Sequence, residues 1–235
     1  MQPNNFNYEG KDLEAMLFAN NYYASLIRLF SPYLGEKVAE VGAGTGNLSK
    51  LILKENISEL TVVEPSANLF PLLCENLKKT PNAVTINRFF HEISPDYQAH
   101  FDSILYVNVL EHIKDDKIEL ENIKKSLNSN GYVCIFVPAL SWLYSDFDKS
   151  IGHYRRYHKE DLVSLVKASG LNVIKAGYID FIGIFPWYLS LVILKNKLNA
   201  KHVNLYDKYI FPVTNFIENI FPVPIGKNLF LIAQK

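Results

Sequence analysis

Val38-Ala-Glu-Val-Gly-Ala-Gly-Thr-Gly46 decides the fold of this 235-residue chain. A short apolar run carries Glu40 near its end, and three glycines follow at two-residue spacing, Gly42, Gly44 and Gly46. A helix-like stretch, Asn47 to Lys54, comes next. The pattern reads as a strand, a tight turn and a helix start, where an α/β sheet brings backbone amides close to a small cofactor. Glycine is needed where φ is positive or where a Cβ would strike a ligand. A dinucleotide loop reads G-x-G-x-x-G, but here Asn47 stands three residues after Gly44 and the third glycine arrives one position early. The spacing argues against a nicotinamide cofactor. Glu64, 22 residues after Gly42, ends a second apolar stretch, where a carboxylate can accept the hydroxyls of a ribose.

Outward from this loop the chain alternates. Strands are expected at Lys37–Val41, Leu60–Glu64, Ala83–Phe89, Phe101–Val107 and Tyr132–Val137. Helices are expected from Asn47 to about Lys54, from Pro65 to about Lys79 and from Asp115 to Leu127, the last closed by a turn at Asn128-Ser-Asn-Gly131. Such alternation implies a doubly wound parallel sheet with right-handed crossovers. Lys11–Phe30 has helical apolar spacing, including Leu13, and Ser31-Pro32 should end it. A helix at about Lys159–Ser169 and strands at about Asn172–Tyr178 and Asn228–Ala233 complete the reading, with irregular stretches at Ala139–His158 and Ile179–Lys227.

The composition bounds the rest. Half of the chain is apolar (49%), enough for one substantial core. Twenty-four basic residues balance 24 acidic ones, so nothing draws the chain toward nucleic acid over a distance. Cys74 and Cys134 lie in apolar runs without partners at ligand spacing, and no metal site is read. The polar start, Met1 to Glu9, has no secretory pattern, which sets the expected location as the cytoplasm. Tyr178–Leu194 contains Asp180 and Pro186 and reads as buried or interfacial rather than membrane-spanning.

Three segments together, the glycine loop, Val62-Val-Glu-Pro-Ser66 and Phe101-Asp-Ser-Ile-Leu-Tyr-Val-Asn-Val-Leu-Glu-His112, resemble a class I S-adenosylmethionine-dependent methyltransferase. The resemblance covers Lys37 to about Val137, and more loosely the rest of the chain. It implies a Rossmann-like, seven-stranded sheet with its last strand antiparallel and a helical, aromatic insertion before that strand. It also implies a single domain, divided into a helical cap (11–36), a cofactor core (37–138), a substrate loop (139–158) and a lid-like insertion (179–227). S-adenosylmethionine would be the cofactor and S-adenosylhomocysteine the product. Carried over by motif, Glu40, Gly42, Ala43, Gly44 and Gly46 would shape the cofactor turn and hold the methionine end. Glu64 and Pro65 would serve the ribose, and Asn108 would lie beside the methionine portion or the reacting centre. The family often places an Asp near adenine after the third strand. Here the stretch is Arg88-Phe-Phe-His-Glu92, and Phe90, His91 or Glu92 takes that place.

The acceptor must approach above the ends of the fourth and fifth strands. His112 can take a proton there, and so can Asp148 or His153 in the Trp142–Tyr157 loop. The Gly152-His-Tyr-Arg-Arg-Tyr157 run resembles a motif of a bacterial subset of these enzymes. Arg155 and Arg156 can grip a carboxylate or phosphate, with Tyr144 and Tyr154 beside them. The aromatic insertion, followed by Lys195, Lys197 and Lys201, raises peripheral contact with a membrane. The expected reaction is methyl transfer to an oxygen or nitrogen of a small molecule with an acidic or lipid-like group. Its rivals are methylation of carbon or lipid, a nicotinamide-dependent oxidoreductase and a non-catalytic cofactor-binding protein.

Overall fold

The structure is a computed structural model, and it describes residues 6–10, 16–17, 19–196 and 198–235. Leu13 and Lys197, singled out above, lie outside the described residues, as does most of the Lys11–Ala19 part of the expected first helix. Seven strands form one sheet: β1 (Lys37–Val41), β2 (Glu59–Val63), β3 (Ala83–Ile86), β4 (Phe101–Val107), β5 (Leu127–Pro138), β6 (Asn172–Ile179) and β7 (Asn228–Gln234). Their spatial order is β3-β2-β1-β4-β5-β7-β6. β7 runs antiparallel between β5 and β6, and the pairs from β3 to β5 are all parallel.

The fold follows from burial on both sheet faces. Successive strand residues point to opposite faces. Ala39, Ile104 and Tyr106 pack under Asp116–Ser126 and Lys159–Ala168, while Val38, Leu105 and Phe136 pack under Asn20–Phe30. β4 is therefore apolar almost throughout, and each buried aliphatic side chain of this kind stabilises by about 1.5–3 kcal/mol. Asp115 caps the Asp116–Ser126 helix by accepting from the Ile118 N–H at 3.1 Å.

Some elements differ from the sequence expectation. The helix after the glycine loop is a single turn, Ser49–Ile52. The next helix begins at Phe70 rather than Pro65. Asn128–Gly131 is not a free turn: it is drawn into β5, where the ladder to β4 shifts register between Phe101 and Ser103 and Asn130 takes φ +66°. Such a residue fits a bulge, where one strand carries extra length.

The Ile179–Lys227 insertion is mostly helical: Ile184–Trp187, Ala200–Leu205 and Phe211–Ile220, with π-helical turns at Tyr188–Ile193 and Tyr206–Ile210. Two carboxylates hold it, one to the Asn20–Phe30 helix and one to its own first residues. Asp207 accepts from the Asn21 and Tyr22 amides, both at 2.9 Å, and so caps the Asn20–Phe30 helix from a distant part of the chain. Glu218 accepts from the Asp180 and Phe181 amides, both at 2.8 Å. The outward face stays apolar, with Phe185, Phe216 and Phe221 each more than 60% exposed. Among the described residues, no helix is long and apolar enough to cross a membrane.

Candidate active site

β1 and β4 are neighbours although their chains leave in opposite directions, so a crevice opens beyond their C-terminal ends. The glycine loop forms its floor. Gly42, Gly44 and Gly46 have φ of +68°, +57° and +84°. A Cβ on Gly42 would lie 2.4 Å from Val109 Cγ2, so this position has neither the conformation nor the room for a side chain. Gly46 N–H closes the turn on Ala43 C=O at 2.9 Å.

Above this floor lies a cavity of about 440 Å³, lined by Glu40, Gly42–Thr45, Glu64–Ser66, Phe89–His91 and Val107–Val109. Glu64 is buried and takes the Gly44 N–H at 2.7 Å and the Ser66 N–H at 2.8 Å. Ser66 Oγ also donates to the oxygen that takes the Ser66 N–H, so with two acceptor positions per carboxylate oxygen the one left open is on the oxygen that faces Gly44. Glu40 accepts from Ser49 Oγ, and burial pushes its carboxyl up to about 8. His91 stacks on Phe89, with ring centres 5.6 Å apart, giving the cavity a flat aromatic wall.

A second cavity of about 350 Å³ lies under the insertion. Its walls are mostly apolar, with Phe147, Ile151, Leu191 and Phe211 among them. Asn108 and His112 line both cavities. Asn108 holds φ +54°, a strained conformation for a residue with a side chain, and donates to Tyr22 Oη at 3.0 Å.

At the junction stand Glu111, His112 and His153. Glu111 is fully buried, and both of its oxygens lack a hydrogen-bond partner. Burial pushes its carboxyl up to about 7, against the pull of His153 and Arg156. His112 is pushed down to about 3 by burial, with His153 adding to the effect, so its ring is neutral near pH 7. The two imidazoles meet edge to face, 4.5 Å between centres. His153 Nδ1 is 3.0 Å from Asp148 Oδ1, and its Nε2 is 3.7 Å from Glu111 Oε1.

The loop candidates separate sharply. Asp148 is the hub of a buried network. It accepts from Arg156 Nε at 2.8 Å and from Ser145 N–H and Oγ, and it faces His153. Burial raises its carboxyl, but the hydrogen bonds of His153 and Arg156 outweigh this and hold it below the usual range. Its oxygens are spoken for, which fits positioning rather than proton transfer. Arg156 lines the second cavity and lies over Trp187, 4.7 Å from the ring centre. Arg155 points elsewhere, donating to Asp116 and to Lys114 C=O, and Tyr144 donates to His153 C=O. Tyr154 is exposed at the edge of the first cavity. Among the described residues, Asp148, Arg155 and Tyr144 line neither cavity. Glu111 is the polar group that the sequence reading passed over, since only tertiary packing shows a glutamate beside His112 to be buried without a partner.

A family model for a methyltransferase domain matches residues 17–176. This chain is a member of that family. It has the class I methyltransferase fold, and S-adenosylmethionine is the cofactor that goes with it. The tRNA U34 carboxymethyltransferase of Campylobacter lari is 30% identical over 125 residues, covering 50% of this chain and 42% of the relative. The chain thus spans less than half the length of that curated relative. Among solved structures, an S-adenosylmethionine-dependent methyltransferase of Archaeoglobus fulgidus superposes with a TM-score of 0.63 at 17% identity, covering 95% of this chain and 98% of its own. The 1,6-didemethyltoxoflavin-N1-methyltransferase of Burkholderia thailandensis gives 0.62 at 15%, covering 96% and 81%. At such identities the likeness is one of fold. The first cavity suits the cofactor: it pairs two buried carboxylates with an aromatic wall, as a nucleoside bearing hydroxyls and a cationic tail requires.

Proposed function

We propose that this methyltransferase moves the methyl group of S-adenosylmethionine to an oxygen or nitrogen of a small molecule whose remainder is apolar. The observation that carries the reading is the pair of cavities, one floored by the glycine loop and holding the buried Glu40 and Glu64, the other under the insertion and mostly apolar, with Asn108 and His112 in the wall of both. The cofactor supplies an electrophilic methyl on a sulfonium. The chain supplies alignment and exclusion of water. In the proposal, Glu40, Ala43, Gly44, Glu64, Pro65, His91 and Asn108 hold the cofactor, with Gly42 and Gly46 shaping the loop. The Glu111–His112–His153 group receives the acceptor's heteroatom, Arg156 offers a charge at the cavity wall, and Asp148 orients His153 and Arg156. A neutral chain and a cavity walled by Phe147, Leu191 and Phe211 favour a small amphipathic acceptor over a nucleic acid. An acceptor screen with methyl-labelled S-adenosylmethionine tests this. Label in an apolar hydroxyl or amine compound is expected, while label recovered only in tRNA would sink it.

A second element of the proposal is peripheral binding to a membrane by the insertion. The exposed Phe185, Phe216 and Phe221 stand on the same segment as exposed Lys195, Lys201 and Lys208. Exposed aromatic side chains and lysines on one segment are what an anionic bilayer surface attracts, although Lys195 is paired with Asp146. Co-sedimentation with anionic vesicles is expected, and its absence at low salt would remove the idea.

A further inference from the structure

At the cavity junction one buried acid has no hydrogen-bonded partner. Asp148 and Arg156 cancel one another at 2.8 Å. Glu111 then remains, fully buried, with two oxygens that receive no hydrogen bond. A buried carboxylate needs a proton, a donor or a metal. The nearest groups are imidazoles, and the donor atoms of Glu111, His112 and His153 all lie within 4.8 Å of one another.

We propose that Glu111, His112 and His153 form a binding site for a divalent transition-metal ion between the cofactor and acceptor cavities. Two imidazoles and one carboxylate are a donor set used for zinc and for other divalent first-row ions, and they leave coordination positions open. The surroundings fit as well as the ligands. His153 turns one ring nitrogen to Asp148 at 3.0 Å and the other toward Glu111. A carboxylate behind a histidine in this way fixes the ring and makes it a better ligand. His112 turns Nδ1 toward Gly152. The Arg156 guanidinium, whose charge also reaches Glu111, is bound to Asp148 and lies over Trp187. The residues come from the loop after β4 and from the loop after β5, which is why no ligand spacing appears in the sequence. The inference rests on the proposed role of this group as the acceptor end of the site. An ion there would face both cavities and hold an oxygen or nitrogen of the acceptor beside Asn108.

The test uses the full chain, stripped with a chelator and titrated with Co²⁺ alone, read by visible absorption and by calorimetry. The proposal expects about one Co²⁺ per chain with histidine-type d–d bands, and binding weakened about tenfold or more in Glu111→Gln and in His153→Ala. His100→Ala, on a histidine far from the junction, should bind as the unaltered chain does. No saturable Co²⁺ binding by the unaltered chain overturns the proposal, whatever the variants do. Equal affinity in Glu111→Gln and the unaltered chain, with the far-ultraviolet spectrum unchanged, overturns it too. Full methyl transfer by the stripped, chelator-treated chain would overturn a role for the ion while leaving the methyltransferase reading intact.

Discussion

Replacing Asp148 with alanine removes the anion from a pair in which both side chains are essentially buried, 1% exposed for Arg156 and 0% for Asp148. The guanidinium keeps a backbone acceptor, Ala139 C=O at 3.2 Å, and the face of Trp187, but no counter-charge at hydrogen-bond distance. Ser145 N–H and Oγ also lose their acceptor, and the short Asp146–Ser150 helix loses its capping box. Breaking a buried pair by removing one partner costs about 3–5 kcal/mol, because a charge is left stranded. The lost cap is not added, since contacts sharing one residue do not sum. Against a domain stability of about 5–15 kcal/mol this is a large fraction. Urea unfolding at pH 7 measures it. Asp148→Leu combined with Arg156→Met removes both charges and should recover a substantial part of the loss. The acid limb should change as well. The Asp148 carboxyl is held low in the fold, so its stabilisation is present above its unfolded pKa and is lost as pH falls through the folded value. Asp148→Ala should flatten that limb. A loss below about 1 kcal/mol, or a double variant as unstable as the single one, would refute the electrostatic reasoning.

Gly42→Ala forces a Cβ to within 2.4 Å of Val109 at φ +68°, so a loss of about 1–3 kcal/mol and much weaker cofactor binding are expected by denaturation and calorimetry. Glu40 ionises at about 8 in the fold against an ordinary 4.5, so its contribution to stability is full below about 4.5 and is lost as pH rises toward 8. Glu40→Gln should therefore gain on the unaltered chain between pH 5.5 and pH 8, by at most about 1.4 kcal/mol per unit, and parallel urea midpoints would contradict this. Phe185, Phe216 and Phe221 changed together to serine should abolish vesicle co-sedimentation without lowering the thermal midpoint, because all three are exposed. Retained binding would place the contact elsewhere.

Much of this molecule is legible in the sequence because a doubly wound sheet writes its rules locally. β4 matches its expected bounds, Phe101–Val107, since a strand covered on both faces must be apolar almost throughout. Gly42, Gly44 and Gly46 announce their positive φ, and Glu64 its place at a strand end. What stays hidden depends on tertiary approach. Arg155 and Arg156 are adjacent in the chain, yet the half-buried Arg155 pairs with Asp116 and the fully buried Arg156 with Asp148. No local pattern says which turns inward. Asp207 caps a helix 185 residues away from it, which no reading of the Asn20–Phe30 helix alone could supply. Asn128–Gly131 has the residues of a turn, and β4 overrides them by pairing with the chain on either side. The insertion reads as irregular because its proline and aromatic content breaks helical periodicity, whereas packing on the Asn20–Phe30 helix stabilises the π-turn at Tyr206–Ile210 and the helix Phe211–Ile220.

The central claim is that the glycine loop and Glu64 hold S-adenosylmethionine. Calorimetric titration of the full chain with S-adenosylmethionine and with NADH tests it most directly. The account predicts saturable binding of S-adenosylmethionine, weakened about tenfold or more in Glu64→Gln, and no binding of NADH. Saturable binding of NADH with none of S-adenosylmethionine at about 1 mM would contradict it.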